Sequence, residues 1–324
     1  MQIDVHLDHT WALSTMQQEV GAGLSQSPKS LPSKYFYDDR GSLLFEEITR
    51  QPEYYLTRVE QALLDDLAAE ISRLTRSEQL IELGAGSARK TRALIEAGRR
   101  QGDLRRYVPV EFSREMAERT AIELERRYEG LEVHAVIGDI ESHLQEVPEA
   151  RSPLVALLGS TIGNFERADA VKLLREVTGE LLDDGGHLLL GTDLVKDKAT
   201  LDAAYNDRNG ITARFNRNIL NVINERLDGN FDSEAFEHVA YFDPGEARIE
   251  TSLRSLRDQE VRLKRIDLDV KFEAGEMLRT EISCKYTQQS VERILAEAGL
   301  ELVRWYTDRD QQFALSLSRP LRSR

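Results

Sequence analysis

The run Gln79-Leu-Ile-Glu-Leu-Gly84-Ala-Gly86-Ser-Ala-Arg-Lys90 decides the fold. Its first half is a short apolar stretch, the pattern of a strand buried on both faces. Glycines stop it, and a helical pattern follows from about Lys90 to Arg100. A glycine turn between strand and helix lets the backbone come close to a ligand. The helix N-terminus behind it favours an anion or a carboxylate. The dinucleotide fingerprint needs a third glycine where this chain has Arg89, which disfavours a nicotinamide or flavin site. No Gly-Lys-Ser/Thr follows, so the turn is not a Walker-type phosphate loop.

Upstream, Leu63, Leu67, Ile71 and Leu74 recur at helical spacing and mark an amphipathic helix from Glu60. Downstream, strands and helices alternate. Strands are expected at Tyr107–Phe112, Glu132–Ile137, Leu154–Leu158 and Gly186–Gly191, with helices at Arg114–Tyr128 and Ala168–Leu182. Such alternation predicts a parallel sheet covered on both faces. Two acids stand at strand ends where ligands of open α/β sheets bind. Glu111 can accept both hydroxyls of a ribose, and Asp139, in Gly138-Asp-Ile140, can receive an adenine amino group.

The pattern changes after about Lys196. Residues 197–228 read as helical and polar, and antiparallel strands follow at His238–Phe242 and Arg248–Leu253. Alternation slips phase once between Leu263 and Ile266, which predicts a bulge. Met277–Tyr286 reads as another strand. A helix around Val291–Ala298 and strands Leu300–Tyr306 and Gln312–Leu317 restore the α/β pattern. The first 57 or so residues are irregular, with aromatic clusters at Leu31–Gly41 and Gln51–Arg58 that predict packing rather than a free tail. The expected division is an α/β domain from 60–196 and 287–324, with a second domain built from 1–59 and 197–286.

The chain has 324 residues, and 43 Lys and Arg against 57 Asp and Glu leave a formal net charge of −14. That balance argues against a polyanionic partner such as nucleic acid. The single cysteine, Cys284, excludes an intramolecular disulfide and any multi-cysteine metal site. No apolar run approaches the ~18 residues of a membrane span, and Met1–Asp8 lacks the charged-then-apolar leader pattern. The expectation is a soluble cytoplasmic protein, acting as a monomer on a small molecule.

The turn Glu82-Leu-Gly84-Ala-Gly86 resembles the first motif of class I S-adenosylmethionine-dependent methyltransferases. Further motifs sharpen the likeness: Leu158-Gly-Ser-Thr-Ile-Gly-Asn164, Leu190-Gly-Thr-Asp-Leu-Val-Lys196, Ala213-Arg-Phe-Asn-Arg-Asn218, Thr280-Glu-Ile-Ser-Cys-Lys285, Ser33-Lys-Tyr-Phe-Tyr-Asp38 and Pro52-Glu-Tyr-Tyr55. From about residue 20 to its end the chain resembles the L-histidine Nα-methyltransferases of ergothioneine biosynthesis. The resemblance implies a class I (Rossmann-like) methyltransferase sheet, a discontinuous α+β substrate-binding domain, and trimethylation of the α-amine of histidine to hercynine. S-adenosylmethionine would be the methyl donor, and no metal is expected.

The resemblance also implies roles. Gly84, Gly86 and Lys90 would meet the donor at the glycine turn, Glu111 its ribose, and Asp139 and Ile140 its adenine. Asn164 and Tyr205 would hold the substrate carboxylate, with Tyr54 beside them and Tyr37 near the amine. Glu281 and Ser283 would hold the imidazole. Two positions depart from the family pattern. Glu111 replaces an aspartate and keeps its acceptor chemistry. Thr251 stands where methionine lines the substrate side-chain pocket. Related enzymes act on tryptophan, so another amino acid is the first alternative substrate, and a non-catalytic binding protein on the same fold is the second. Each residue also has a plain structural reading: the tyrosines as core, Asn164 as a turn former, Glu281 as a solvated strand residue, Cys284 as a small buried residue.

Overall fold

The computed structural model describes residues 1–7, 9–182 and 185–321. In chain order these form β1 (Gln2–Val5), α1 (His9–Ser25), β2 (Lys29–Ser30), α2 (Asp39–Ile48), α3 (Leu56–Thr75), β3 (Gln79–Leu83), α4 (Arg92–Gln101), β4 (Arg106–Glu111), α5 (Arg114–Arg127), β5 (Glu132–Ile137), β6 (Leu154–Leu157), α6 (Arg167–Leu181) and β7 (His187–Asp193). They continue with α7 (Lys198–Ala204), α8 (Ile211–Leu227), β8 (Phe236–Asp243), β9 (Arg248–Ser255), β10 (Gln259–Leu263), β11 (Leu268–Phe272), β12 (Met277–Cys284), α9 (Gln288–Glu297), β13 (Leu300–Thr307) and β14 (Phe313–Pro320). The chain divides into two compact units, Met1–Leu7 with Leu56–Val195 and Cys284–Arg324, and Asp8–Tyr55 with Lys196–Ser283.

The first unit is built on one sheet of order β1-β5-β4-β3-β6-β7-β14-β13. All five residues of β3 are buried, as its unbroken apolar run requires. β1 through β7 in this sheet pair in parallel. The last two strands depart from the parallel expectation: β14 runs antiparallel to β7, and β13 antiparallel to β14. The short connection at residues 308–312 can close only an antiparallel pair. The chain steps outward from β3 to β4 to β5, then crosses back to β6 and β7, so a topological switch point lies between β3 and β6. Ligands of open α/β sheets bind at the carboxyl ends of strands there.

Buried apolar residues cover both faces of the sheet. On one, α6 and α9 supply Val171, Leu174, Val177, Ile294 and Leu295. On the other, α3, α4 and α5 supply Leu64, Ile71, Leu94, Ile95 and Leu124.

Residues 1–7 correct the expected boundary. They belong to the sheet, because β1 pairs residue by residue with the edge of β5, from Gln2 opposite His134 to Val5 opposite Ile137. The imidazole of His134 contacts the Asp4 carboxylate at 2.6 Å across that pair. The other limits move by only a few residues, to Leu56, Val195 and Cys284.

The second unit holds a sheet of order β2-β12-β9-β8 and a separate β10–β11 hairpin. β8 and β9 form an antiparallel pair, and β2 lies parallel to β12. The expected bulge between Leu263 and Ile266 is instead the turn of that hairpin. Asp267, at φ +52°, reverses the chain, and Val261 faces Val270. The N-terminal segment is more regular than expected, since α1 spans His9–Ser25. Gly21 and Gly23 blur its apolar rhythm, yet a Cβ on Gly23 would lie 2.2 Å from the Ser30 carbonyl oxygen. The glycine is what lets α1 lie against β2. α8 is not polar throughout: Ile211, Phe215, Ile219, Leu220, Ile223 and Leu227 are buried.

Candidate active site

The glycine turn leaves β3 with Gly84 at φ +71° and Gly86 at φ +52°, conformations that side chains rarely adopt. A Cβ at either position would meet no atom within 4 Å, so space remains over the turn for a ligand. Glu111, at the end of β4, fixes the turn: one carboxylate oxygen accepts the Gly86 amide at 2.7 Å and the other the Ser113 amide at 3.0 Å. Burial raises the Glu111 pKa above the ordinary value, opposed by the amides of Ser113, Gly86 and Phe112. A carboxylate has about four acceptor sites, so it keeps capacity for hydroxyl donors.

Asp139 and Ile140 follow β5 beside this turn, and the Gly138 amide bonds to the Glu111 carbonyl at 3.0 Å. Asp139 is buried and accepts the Glu141 amide at 2.9 Å. Ile140 packs against the core cluster. The carboxyl ends of β3, β4 and β5 therefore carry Gly84, Gly86, Glu111, Asp139 and Ile140. Open space over two glycines, a ribose-type acceptor and an apolar neighbour fit an S-adenosyl group.

Glu82, the first residue of the motif, does not face this space. Its buried carboxylate accepts the hydroxyls of Thr91 and Tyr107. Burial pushes its pKa to about 7. It ties β3 to β4 and to the start of α4.

Lys90 pairs with Glu60 of α3, whose other oxygen accepts the Gly159 amide at 2.6 Å. Gly159 opens the turn that carries Asn164, which is half-buried at the end of the 3-10 segment Thr161–Asn164. Gly163 is required there, because a Cβ would come within 2.8 Å of the Cys284 carbonyl oxygen. Next to this turn, Asp193 and Lys285 form a fully buried ion pair at 2.9 Å.

In the second unit, the Tyr205 hydroxyl donates to Ser283 Oγ at 2.8 Å. The ring of Tyr54 lies 6.3 Å from that of Tyr205, and Phe45 bridges Tyr54 to Tyr37. Tyr205 is held from behind. Its carbonyl can only accept, so His238 Nε2 carries the proton of their 2.9 Å bond, and Nδ1 accepts from Asn216 Nδ2 at 2.9 Å. Burial lowers the His238 pKa, which keeps the ring neutral. Asn216 also donates to the Ser252 carbonyl and accepts from Thr280 Oγ1. The Thr280 hydroxyl reaches the carbonyl of Thr251 as well, at 3.2 Å. Thr251 itself is buried, and its hydroxyl oxygen has no hydrogen-bond partner among the described residues. Glu281 lies on β12 two residues from Ser283, partly exposed.

Sequence reasoning missed Glu60, the Asp193–Lys285 pair and the His238–Asn216 support. Glu60 left one signal: it sits four residues before Leu64, in phase with the buried face of α3. Asp193 and Asn216 lie within quoted motifs, but their partners are distant in sequence and leave no local trace.

The strand order with its reversed final hairpin, the bare glycine turn and the acid at the end of β4 define a class I S-adenosylmethionine-dependent methyltransferase. A solved O-methyltransferase family protein from Burkholderia thailandensis shares the fold, with a TM-score of 0.50 and 13% identity over 98% of this chain and 71% of that one. Residues 16–320 match the family described as "Histidine-specific methyltransferase, SAM-dependent", and the chain belongs to that family. It is 46% identical over 97% of both chains to the histidine N-alpha-methyltransferase of Mycobacterium tuberculosis (strain CDC 1551 / Oshkosh). It is 45% identical over 95% of both chains to that of Mycolicibacterium smegmatis. Ergothioneine biosynthesis protein 1 of Neurospora crassa is 32% identical over 86% of this chain and 32% of its own length.

Proposed function

We propose that this protein transfers methyl groups from S-adenosylmethionine to the α-amine of L-histidine, three times in succession, to give hercynine for ergothioneine biosynthesis. The observation that carries this reading is the 46% identity, end to end, with a histidine N-alpha-methyltransferase. When bound, the donor supplies an electrophilic methyl group on a sulfonium sulfur. The protein's task is then to bind, orient and keep the amine unprotonated, since positioning supplies most of the catalysis in such a displacement.

Gly84, Gly86, Lys90, Glu111, Asp139 and Ile140 are assigned to the donor. Asn164 and Tyr205 are assigned to the substrate carboxylate, and Tyr54, whose ring neighbours that of Tyr205, to the substrate as well. An amide and hydroxyls fix a carboxylate without adding full charge near a sulfonium. The Tyr205–Ser283 hydroxyl pair supports this, because hydroxyl protons re-aim when a stronger acceptor arrives. Glu281 and Ser283 are assigned to the imidazole, with Thr251 against the side chain. The aromatic series Tyr37, Phe45 and Tyr54 suits an amine that ends as a quaternary cation, through cation–π attraction.

We also take the protein to work as a monomer in the cytoplasm. Among the described residues, no helix is long and apolar enough to cross a membrane. Size-exclusion chromatography with light scattering tests the monomer. The function is tested by incubating the purified chain with S-adenosylmethionine and each of the twenty amino acids. Mass spectrometry should show a gain of three methyls on histidine. Transfer chiefly to tryptophan or another amino acid would replace the substrate, and no transfer to any would favour a binding protein.

A further inference from the structure

Glu60 is a fully buried carboxylate on the core-facing side of α3. An ionised carboxylate so placed needs a cation and hydrogen bonds to offset lost hydration. Three segments supply its surroundings. Lys90, from the glycine turn, donates to one oxygen. The Gly159 amide, from the turn after β6, donates to the other at 2.6 Å. Gly191 of β7 lies so close that a Cβ there would stand 2.4 Å from that second oxygen. Gly159 has φ +75°, and a Cβ on it would lie 3.2 Å from Lys90 Nζ. Two motif glycines that no ligand role explains, in Leu158-Gly-Ser160 and Leu190-Gly-Thr192, are thus the room that this ion pair requires.

We propose that Glu60 is a positioning residue for the methyl donor, holding the Lys90 ammonium in place to meet the carboxylate of the donor's amino-acid end. The proposal rests on the reading that Lys90 contacts the donor. An ammonium carries three donors on a flexible four-carbon stem. Pairing with Glu60 orders that stem and leaves donor capacity for a second anion. The same carboxylate pins the backbone of Gly159, so one buried group sets both the glycine turn and the turn that leads to Asn164.

The test is equilibrium binding to the full chain by titration calorimetry, with two probes. S-adenosylhomocysteine keeps the amino-acid carboxylate, whereas 5′-methylthioadenosine shares the nucleoside and thioether and lacks it. Glu60→Gln preserves the shape and one acceptor for the Gly159 amide but removes the charge that holds Lys90. Kd for S-adenosylhomocysteine should rise about tenfold or more, the worth of a charge-assisted hydrogen bond. Kd for 5′-methylthioadenosine should change by less than about twofold. Equal weakening of both probes would mean that Glu60 only supports the fold, and unchanged binding of both would remove its role altogether; either result overturns the proposal. Should Glu60→Gln fail to fold, Glu60→Asp keeps the charge but withdraws it from Lys90 by one methylene. It must show the same loss confined to S-adenosylhomocysteine, and its absence overturns the proposal equally. The unaltered chain's transfer to histidine is measured separately, so failure of the methyltransferase reading is distinguishable from failure of this one.

Discussion

Tyr205 donates to Ser283 across 2.8 Å, and His238 holds its backbone from behind. Removing the hydroxyl with Tyr205→Phe should raise the KM for histidine about tenfold. The melting temperature should move little, since one such bond contributes about 1 kcal/mol to stability. Steady-state kinetics and a thermal melt check both halves, and an unchanged KM would remove Tyr205 from the substrate site. Glu281→Ala should likewise raise the KM for histidine by withdrawing the imidazole acceptor, with unchanged histidine kinetics as the refuting result. At this scale the sequence was most readable where chemistry demands a residue type at a fixed place. Gly84 and Gly86 take the positive φ that a tight glycine turn requires, and Glu111 lies at a strand end as its pattern predicted. Glu82 read as part of the ligand turn, yet it proves to be an internal brace between Thr91 and Tyr107. A single sequence marks a carboxylate but not the direction in which it points.

Glu82 also makes the β3–β4 junction sensitive to pH. Its pKa in the folded chain is about 7, against 4.5 for an ordinary glutamate. Below 4.5 folded and unfolded chains both hold the proton. Between 4.5 and 7 the folded chain keeps a proton that the unfolded chain releases, so stability falls as pH rises through that window and is level above it. The loss is on the order of 3 kcal/mol. Glu82→Gln should abolish this component, so the difference in unfolding free energy between variant and parent should grow from pH 5 to pH 8. A difference independent of pH would contradict the raised pKa. The Asp193–Lys285 pair joins the end of β7 to the segment after β12, where the Tyr286 amide also bonds to the Asp193 carbonyl at 2.9 Å. Asp193→Ala leaves Lys285 buried without its carboxylate and should cost about 3–5 kcal/mol in chemical denaturation. Elements with a clear period were legible: β3 to β7 lie within a residue or two of their expected limits. α1 was not, because its glycines serve contact with β2 rather than helical rhythm. The turn at Lys264–Ile266 read as a bulge, because a phase slip in alternation has the same signature whether the chain bends or reverses.

At the scale of the whole molecule, the discontinuous second unit was visible as a change of pattern near Lys196 and a return to α/β character near Val291. The assignment of residues 1–7 was not visible. Four residues are too few for a period, and only pairing with β5 identifies β1 as part of the first sheet. The net charge of −14 has no part in the proposed chemistry, which concerns a small zwitterion handled by hydroxyls, an amide and one carboxylate. Whether this chain trimethylates the α-amine of histidine is decided in one assay: purified protein, S-adenosylmethionine and an equimolar mixture of amino acids, followed by mass spectrometry. Histidine should be consumed as its trimethylated betaine appears. Histidine left unmodified while another amino acid gains methyl groups, or no transfer at all, would contradict it.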